Sequence, residues 1–413
     1  MVTVFGLGFV GLTTALGFAE LGNIVYGIEI DKSKSDALKS GTGEIYEPFL
    51  SQKLKEHLNK CFFVIQDTKK AIDTSKYIFV CVGTPSLKNG EVDLSQIKEV
   101  VTLINNTISN NIMEDKYIII KSTVPPGTCK NELIPLIHSD KLHIISNPEF
   151  LREGYCWTDF TNPQKIIIGA NSVKDCQKVG KIYSKINAKQ YFLSLNGAEF
   201  SKYLSNVFLA TLISFSNEMA YAAENFGDID IAEVFESLHE DGRLKGSGIS
   251  SYIYPGCGYG GYCLPKDVAA FIAALSKQGY DSKILNNVVE INDEVAKRIC
   301  SKITLTKKAP IGILGLAFKP NTDDVRCSPA ATIIETLATE GYNDIYAYDP
   351  IAIKNFQRTY SFNEVKYVEA PEILIDNSEL IIVVTNWESF KTLDYKDKTV
   401  IDGRYYLKRD REI

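Results

Sequence analysis

The sequence predicts an α/β protein with two doubly wound Rossmann-like domains, joined by a long central helix and a helical dimerisation segment. Short β-branched or aromatic runs alternate with longer helical stretches over the first 170 residues, and strands return after residue 310. The runs at 77–81 and 117–120 are apolar throughout, as expected of strands buried on both faces of a parallel sheet. Between the two regions, apolar residues follow a helical period from about 198 to 226, and Gly227 is a suitable C-terminal stop.

The individual elements follow from the same patterns. A helix over 198–226 would be roughly 40 Å long, enough to link two domains and to offer a surface to another subunit. More helical pattern continues to about residue 305, with a glycine-rich interruption at 246–263. Strands are predicted near 2–5, 24–29, 77–82, 116–121, 142–146 and 165–169, and then at 311–315, 344–348, 380–384 and 399–401.

Length, composition and charge exclude several classes of protein. The 413 residues suggest two or three domains, and 45% hydrophobic with 23% charged residues is ordinary globular composition. The formal net charge of −6 argues against a nucleic-acid backbone or an anionic membrane as the main partner. No apolar run approaches the roughly 18 residues of a membrane span, and the first residues lack the basic region of a signal peptide.

The cysteines and histidines bear on compartment and metal binding. Nine cysteines without a C-x-x-C pair favour a reduced chain in the cytoplasm. None of the four histidines has metal-ligand spacing with another histidine or a cysteine, so we expect no metal site. We expect Cys263 to be reactive and the other eight cysteines to be small core residues.

The first strand leads into a glycine-rich turn and then a helix, in the pattern Gly6-x-Gly8-x-x-Gly11. In a dinucleotide site, the first glycine allows the tight turn, the second admits the pyrophosphate and the third permits close helix–strand packing. The helix start supplies free N–H groups for the phosphates. Glu29 ends the next strand, where a carboxylate binds the ribose hydroxyls and repels a 2′-phosphate, so NAD is favoured over NADP.

A loop with two carboxylates and an arginine follows the strand near 142–146. It contains Glu149, Arg152 and Glu153, at the sheet edge where open α/β sheets bind ligands. These residues alone leave two interpretations equally open: a ligand-binding loop, or a solvated loop with an Arg–Glu pair.

The segment around Cys263 is typical of an activated thiol. Pro265 suits the first position of a helix, which would place Cys263 just ahead of a helix N-terminus, with Lys266 close in sequence. Both influences favour the thiolate, which makes Cys263 a candidate nucleophile. Asp267 has an alternative interpretation, since an acid in a first helical turn stabilises the helix without any catalytic role.

Two further segments suit ligand contact. Lys202 and Asn206 are four apart near the start of the long helix and share a face, where they would stabilise an oxyanion or simply form a polar surface. The segment from Lys121 through Thr123 to Thr128 ends a buried strand with hydroxyls and a rigid turn, suited to ligand contact or to helix capping.

Over essentially the whole chain, these segments resemble the UDP-glucose/GDP-mannose dehydrogenase family. Seven motifs occur in the order that the family shows. They are GLGFVG at 6–11, IYEP at 45–48, VGTP at 82–85, KSTVP at 121–125, PEFLREG at 148–154, GYGGYCLPKD at 258–267, and GLAFKP at 315–320 continuing to TDDVR at 322–326.

The resemblance implies oxidation of the C6 alcohol of a nucleotide sugar to a carboxylate with two NAD⁺, through an aldehyde and a cysteine thioester. Cys263 would be the nucleophile, and Lys202 with Asn206 would stabilise the oxyanion. Asp267 would assist proton transfer through water, and Thr123 and Glu153 would hold the catalytic water. A catalytically silent binding protein of this fold would lack Cys263, Lys202 or Asp267, and all three are present.

The resemblance also implies binding residues for cofactor and sugar. Those for NAD are Gly6, Gly8, Phe9, Val10, Gly11, Glu29, Lys32, Thr84, Thr123, Glu153, Lys266 and Arg326. Those for the nucleotide sugar are Glu149, Phe150, Leu151, Arg152, Lys202, Asn206, Arg243, Tyr252, Tyr259, Gly260, Cys263, Phe318 and Lys319.

The implied substrate is UDP-glucose, because the loop at 148–154 resembles the glucose and mannose branch of the family and Tyr262 resembles the UDP-glucose enzymes; GDP-mannose and UDP-N-acetylhexosamines are the alternatives. The implied assembly is a homodimer in which Arg243 reaches the neighbouring active site. The expected domains are an NAD-binding domain over 1–196, a central dimerisation domain over 197–300 and a UDP-sugar-binding domain over 301–413. Phe49 and Lys245 depart from the family pattern, Phe49 standing where a glycine is usual.

Overall fold

The structure, a computed structural model, describes residues 1–43, 47–108, 114–246 and 248–407. The chain divides into two compact units, Met1–Ser205 and Asn206–Ile413. Ile45 and Tyr46 of the IYEP motif lie outside the described residues, as do Ser247 of the expected glycine-rich interruption and positions 408–413 of the expected third domain.

In the described part of the first unit, eight strands form one sheet with the order β3-β2-β1-β4-β5-β6-β7-β8. Strands β1 to β6 are parallel, whereas β7 is antiparallel to β6 and carries β8 parallel to itself. The expectation of a parallel sheet is therefore confirmed for β1 to β6. It is not met at the pairing of β6 with β7, which is antiparallel. The strands are β1 Val2–Phe5, β2 Val25–Ile28, β3 Phe62–Val64, β4 Tyr77–Val80, β5 Lys116–Ile120, β6 Leu142–Ser146, β7 Lys165–Gly169 and β8 Lys189–Leu193.

Helices cover both faces of this sheet, which confirms the doubly wound arrangement. Along β4, Phe79 packs in a core cluster with Leu16 of α1, while Ile78 and Val80 pack in another with Val101 of α5. A strand buried on both faces has no polar side, and this explains its continuous apolar run. The helices are α1 Phe9–Glu20, α2 Lys32–Lys39, α3 Leu50–His57, α4 Thr68–Thr74, α5 Ser95–Thr107, α6 Cys156–Thr161 and α7 Val173–Gly180.

The long helix, α8, runs from Leu195 to Phe226 and ends at Gly227, whose φ of +68° is the left-handed conformation of a C-terminal glycine. The prediction of one long helix ending there is confirmed. Tyr203 and Ala210 are buried. Five large apolar residues on α8 are exposed: Phe200, Leu204, Phe208, Phe215 and, at the end of the helix, Phe226.

Within the described residues of the second unit, five parallel strands form a sheet with the order β11-β10-β9-β12-β13. Its two faces also contribute to different core clusters, since Ile313 and Leu314 of β9 pack in separate ones. The strands are β9 Ile311–Leu314, β10 Ile345–Tyr348, β11 Val365–Tyr367, β12 Leu380–Val383 and β13 Thr399–Asp402. The helices are α9 Ile231–His239, α10 Cys263–Lys277, α11 Lys283–Ser301, α12 Pro329–Thr339, α13 Ile353–Thr359 and α14 Pro371–Asn377.

Three strands, β3, β8 and β11, were not predicted, and each lies at an edge of its sheet in the described structure. Strands β3 and β11 are only three residues long, and β8 is largely exposed. Short edge strands lack the long apolar run that reveals a central strand. None of the described helices is both long enough and apolar enough to cross a membrane.

Candidate active site

The glycine-rich turn between β1 and α1 has the geometry expected of a dinucleotide loop. Gly6 has φ of +80°, and a Cβ on Gly11 would lie 1.7 Å from the carbonyl oxygen of Gly6. A side chain at either position is therefore excluded by backbone contacts. A Cβ on Gly8, in contrast, would meet nothing within 4 Å, so the turn leaves open space at this position. Gly8 is the N-cap of α1 and offers no side-chain hydrogen bond, which leaves the first N–H groups of the helix available for an anion.

Glu29 follows β2 and is held against this turn. Its Oε2 accepts a 2.9 Å hydrogen bond from the Leu7 amide, and its Oε1 accepts one of 3.1 Å from the Asp31 amide. These contacts orient the carboxylate beside the turn, where a ribose would bind, so the residues present fit NAD. Phe9 and Val10 begin α1, Thr84 is buried, and Lys32 is exposed at the start of α2.

Glu149 and Lys202 form a buried ion pair, with 2.9 Å between Oε1 and Nζ. The other Glu149 oxygen accepts a 2.5 Å hydrogen bond from the Leu151 amide, which fixes the loop after β6. The ring of Phe150 lies beneath two cations, 5.4 Å from Lys202 Nζ and 4.5 Å from Lys165 Nζ. The structure therefore brings Lys202 of α8 to the carboxylate loop.

Arg152 and Gly154 in the same loop contact acidic residues that were not among the predicted site residues. Arg152 forms a two-pronged contact with Asp159, with Nε 3.0 Å from Oδ2 and a terminal nitrogen 2.8 Å from Oδ1. The Gly154 amide donates to Oε1 of buried Glu47 at 2.6 Å. Glu47 belongs to the IYEP motif, so this bond joins two of the motifs. Glu153 lies half-buried between Arg152 and Gly154.

The turn that carries Thr123 is held by Glu199 of α8. The two Glu199 oxygens accept hydrogen bonds from the amides of Gly127, at 2.7 Å, and Cys129, at 2.8 Å. Burial raises the pKa of Glu199, and the two amide hydrogen bonds act in the opposite direction. Thr123 is half-buried. Sequence reasoning missed Glu199, although its position three residues before Lys202 on a helix was a signal.

Cys263 is exposed and is the first residue of α10, so the helix begins two residues earlier than the position of Pro265 suggested. A proline in the third helical position is tolerated because the first N–H groups of a helix have no intrahelical acceptor. The nine cysteines all lie in the described ranges, and none of them forms a disulfide. The expectation that the other eight lie in the core is wrong for Cys327, which is exposed, and only partly met by Cys61 and Cys81, which are intermediate.

Asp267 is buried and has partners on both carboxylate oxygens. Asn206 Nδ2 donates to Oδ2 at 2.5 Å, and Lys266 Nζ lies 2.5 Å from Oδ1. Lys266 therefore has its charge balanced by Asp267, and the helix start remains as the influence expected to favour a thiolate at Cys263. The capping role considered for Asp267 does not account for these two contacts.

The two glycines before Cys263 are required by close packing. A Cβ on Gly260 would lie 2.3 Å from the carbonyl oxygen of Cys327, and one on Gly261, at φ of +77°, would lie 2.7 Å from the Phe318 ring. This packing puts the 258–267 segment against the loop after β9. Tyr259 is buried.

The cations of this part of the second unit lie over aromatic rings. The Arg326 guanidinium is 4.4 Å from the Tyr262 ring centre and pairs with Asp324, while Lys266 Nζ is 5.6 Å from the same ring. Lys319 Nζ lies 5.5 Å from the Phe318 ring centre. Tyr262 is thus an aromatic contact shared by two of the predicted binding residues.

Arg243 and Tyr252 belong to the segment between α9 and α10. The Arg243 side chain is exposed and pairs with Asp241 of its own loop, with 2.9 Å between Nε and Oδ1. The guanidinium lowers the pKa of Asp241. Tyr252 ends a short 3₁₀ turn at Ser250–Tyr252.

Asp349, after β10, repeats in the second unit the contact that Glu29 makes in the first. Its Oδ2 accepts hydrogen bonds from the amides of Leu316, at 2.8 Å, and Ala317, at 3.1 Å, in the turn after β9. The sequence analysis missed this residue, although it ends a strand as Glu29 does.

A cluster of exposed Glu20 and Glu56 with half-buried His57 also went unpredicted, with ligand atoms within 4.8 Å of one another. Lys53 Nζ lies 3.1 Å and 2.8 Å from the two carboxylates and supplies the positive charge that they need. We therefore assign no metal to this cluster.

Comparisons with known proteins agree with these motifs. Residues 1–187 match the NAD binding domain of the UDP-glucose/GDP-mannose dehydrogenase family, residues 196–294 its central domain and residues 312–409 its UDP binding domain. The UDP-glucose 6-dehydrogenase of Rickettsia bellii is 35% identical over 99% of this chain and 96% of its own length. The UDP-glucose 6-dehydrogenase AglM of Haloferax volcanii is 34% identical over 99% and 97%.

A solved structure is similar over the same extent. The UDP-glucose dehydrogenase of Pyrobaculum islandicum superposes with a TM-score of 0.89 at 34% identity, over 98% of this chain and 94% of that chain. Matches of this extent, together with the three domain models, establish the family. The chain belongs to the UDP-glucose/GDP-mannose dehydrogenase family.

Proposed function

We propose that the protein is a UDP-glucose 6-dehydrogenase, which oxidises the C6 alcohol of UDP-glucose to the carboxylate of UDP-glucuronate with two NAD⁺. The observation that carries the proposal is the exposed Cys263 thiol at the start of α10, four residues before an Asp267 carboxylate held by Asn206 and Lys266. A simple alcohol dehydrogenase needs no thiol, whereas in a four-electron oxidation a thiol can hold the aldehyde covalently until the second hydride transfer.

The cofactor is NAD, and the first unit would hold it. The open space at Gly8, the free N–H groups of α1 and the oriented Glu29 carboxylate suit its pyrophosphate and ribose. When bound, it supplies a hydride acceptor twice, once for the alcohol and once for the thiohemiacetal. Thr84, Lys32, Lys266 and Arg326 are proposed as further cofactor contacts.

Cys263 supplies the nucleophile. Its sulfur would add to the C6 aldehyde to give a thiohemiacetal, and loss of a hydride from that carbon would leave a thioester. Water would then attack the thioester, the C–S bond would break, and the carboxylate and free thiol would result. The exposure of Cys263 and its place at a helix start support this role, since both favour a reactive thiolate.

Buried polar groups would stabilise the charges that develop in these steps and accept the protons that are released. Lys202 and Asn206 would stabilise the negative oxygen, and removal of one such donor typically costs on the order of 10²–10³ in rate. Asp267, held on both oxygens, would accept a proton through water. Thr123 and Glu153 would position the water.

The substrate assignment is supported by the relatives, which include UDP-glucose 6-dehydrogenases over nearly the full chain. The loop after β6 would contact the sugar through Glu149, Phe150, Leu151 and Arg152. In the second unit, the proposed contacts are Tyr252, Tyr259, Gly260, Phe318 and Lys319. The three-part division at 1–196, 197–300 and 301–413 remains our proposal for the domains.

We further propose a cytoplasmic homodimer built on α8. Phe200, Leu204, Phe208 and Phe215 are exposed at spacings of four, four and seven residues, which places them on one side of the helix. An exposed apolar stripe of this length is typical of a subunit interface. Arg243, exposed on its loop, would reach the neighbouring active site after exchanging Asp241 for substrate. A compartment that keeps thiols reduced suits nine cysteines that form no disulfide in the described ranges.

The decisive experiment counts reducing equivalents. Purified protein is incubated with NAD⁺ and a limiting amount of UDP-glucose, GDP-mannose or a UDP-N-acetylhexosamine, and NADH formed per sugar consumed is measured. We expect two NADH per UDP-glucose, together with UDP-glucuronate. A ratio of one would contradict the thioester route, and turnover restricted to another sugar would contradict the substrate assignment.

A further inference from the structure

Glu199 of α8 is a buried carboxylate to which the proposed mechanism gives no role. It binds the backbone amides of Gly127 and Cys129, which lie 72 and 70 positions earlier in the sequence. Both carboxylate oxygens are used, Oε2 at 2.7 Å from the first amide and Oε1 at 2.8 Å from the second. A buried carboxylate is costly without such donors, and these two attach a distant turn to the helix.

The turn after β5 carries Thr123 between two fixed points. On one side, the Ser122 hydroxyl donates to the carbonyl oxygen of Val82 at 2.7 Å. On the other side, the Thr128 hydroxyl closes the turn by donating to the carbonyl oxygen of Pro125 at 2.7 Å. Hydrogen bonds to the α8 carboxylate join this second point to the helix, so the place of the threonine between them depends on that carboxylate.

The same turn of α8 also carries Lys202. Residues three apart on a helix lie roughly 60° apart around its axis and about 4.5 Å apart along it. Lys202 Nζ lies 2.9 Å from Oε1 of Glu149, in the loop after β6. Strands β5 and β6 are neighbours and parallel, so their following loops leave the same edge of the sheet. One turn of α8 therefore binds both loops, through the Glu199 carboxylate and the lysine ammonium.

Helix capping is the alternative explanation for Glu199. The short helical segment Cys129–Leu133 begins at one of the two bound amides, and a carboxylate at a helix start stabilises the helix. The other bound amide, that of Gly127, precedes even the N-cap Thr128 and belongs to the turn itself. Capping therefore accounts for only one of the two hydrogen bonds.

We propose that Glu199 is a positioning residue of the dehydrogenase, which holds Thr123 at a fixed place relative to Lys202. The proposal rests on the proposed function, because that function assigns the threonine to the catalytic water and the lysine to the reacting oxygen. Both groups act on one carbon when water attacks the thioester, the C–S bond breaks, and the carboxylate and free thiol form. A misplacement of about 1 Å in such an arrangement can cost on the order of 10²-fold in rate.

The test compares Glu199→Gln with Thr3→Val in the full-length protein. The glutamine keeps the size of the side chain, but its NH₂ group cannot accept a hydrogen bond from an amide. Thr3 is the matched control, since it is also buried in the first unit and its hydroxyl donates to the carbonyl oxygen of Ala71 at 3.0 Å. Thr3→Val should lose stability but keep kcat for UDP-glucose within about twofold.

We expect Glu199→Gln to lower kcat by about tenfold or more and to change kcat/KM for UDP-glucose much less. The reason is that thioester hydrolysis follows release of the first NADH, whereas kcat/KM reports only the steps up to that release. An equal fall in kcat and kcat/KM would contradict the proposal.

Two further readouts separate positioning from a general loss of folding. After a single turnover, loss of the covalent adduct from Cys263 is followed by mass spectrometry of acid-quenched protein, and it should be about tenfold slower in Glu199→Gln and unchanged in Thr3→Val. In a Thr123→Val background, Glu199→Gln should lower kcat by less than about twofold, because both changes affect the same water. Unchanged adduct loss, or an equal fall in kcat in both backgrounds, would overturn the proposal.

A last measurement needs no turnover. Hydrogen exchange of the amides in residues 121–133 should be about tenfold faster or more in Glu199→Gln, and unchanged in Thr3→Val. If the wild-type protein oxidises no nucleotide sugar, the proposed function fails, while this exchange still decides whether Glu199 holds the turn. Unchanged exchange would overturn its role whatever the substrate. If Glu199→Gln does not fold, Glu199→Asp keeps the charge, withdraws it by one methylene and should give the same changes.

Discussion

Asn206 donates a 2.5 Å hydrogen bond from its side-chain amide to Oδ2 of Asp267, across 61 positions of the sequence. The other Asp267 oxygen lies 2.5 Å from Lys266 Nζ, and Asp267 itself is only 1% exposed. One carboxylate thus ties the long helix α8 to the helix that begins at Cys263. It also neutralises a lysine that would otherwise be buried without a counter-charge.

Loss of the Asp267 charge should therefore affect stability as well as activity. We expect Asp267→Asn to lower the free energy of unfolding by about 3 kcal/mol or more, since Lys266 is left as an uncompensated buried charge. The matched control is Glu240→Gln, which breaks an exposed pair with Lys245 and should cost less than about 1 kcal/mol. Urea denaturation of both variants gives the two values, and equal losses would contradict the burial argument.

The two exposed cysteines should differ completely in function. Cys263→Ser should abolish formation of the uronate, because no thioester forms, while NAD binding is retained. Cys327→Ser, the control, should keep activity within about twofold, since the proposed mechanism gives that thiol no role. Uronate production and NAD binding are measured by chromatography and fluorescence titration. Undiminished uronate from Cys263→Ser would exclude the covalent mechanism.

Glu29 and Asp349 make similar contacts but should have separable effects. Glu29→Ala should raise KM for NAD by about tenfold or more and weaken discrimination against NADP, because a ribose partner and the anchor of Leu7 are lost. Asp349→Ala should leave KM for NAD unchanged. It should lower the free energy of unfolding by about 2 kcal/mol or more, because the buried amides of Leu316 and Ala317 lose their hydrogen-bond acceptor. Steady-state kinetics and denaturation distinguish them; an unchanged KM for NAD in Glu29→Ala would count against the assigned ribose site.

The apolar stripe of α8 makes a prediction about assembly. Leu204→Glu introduces a charge at a position 54% exposed in the single chain and should convert the proposed dimer to a monomer. Val173→Glu on α7, at a position 61% exposed, should leave the assembly unchanged. Light scattering after size-exclusion chromatography reports the molar mass. A dimer that survives Leu204→Glu would place the interface elsewhere.

Phe49 has φ of +68°, in the left-handed region that favours glycine, and it is the N-cap of α3. Its side chain is 58% exposed, so little packing offsets the strain. We expect Phe49→Gly to be more stable than Phe49→Ala by about 1 kcal/mol, because only glycine adopts this conformation without cost. Thermal or urea denaturation of the pair measures the difference, and an alanine variant as stable as the glycine variant would show that the backbone there is unstrained.

The predictable parts of the molecule were those that local patterns reveal. Central strands such as β4 and β5 are continuous apolar runs, and the long helix ends at a glycine, so both were predicted from a few neighbouring residues. The glycine-rich turn and Cys263 were likewise recognisable, because their chemistry depends on spacing along the chain.

The parts that escaped prediction depend on residues far apart in the sequence. Glu47 accepts a hydrogen bond from Gly154 across 107 positions, and Glu199 accepts one from Gly127 across 72; neither pairing is visible in a local pattern. The edge strands were missed because the position of a strand at the edge of a sheet depends on how the strands pair, which a local pattern does not show.

By itself, the sequence determined the α/β class and the family, and it indicated the glycine-rich loop and the candidate thiol, since each is expressed in short-range spacing. Only the tertiary structure decided which oxygen of Asp267 meets Asn206 and which cation Glu149 binds. Burial is the physical reason: it fixes how strongly each charge acts on its neighbours, and it exists only once the sheet has brought its loops together.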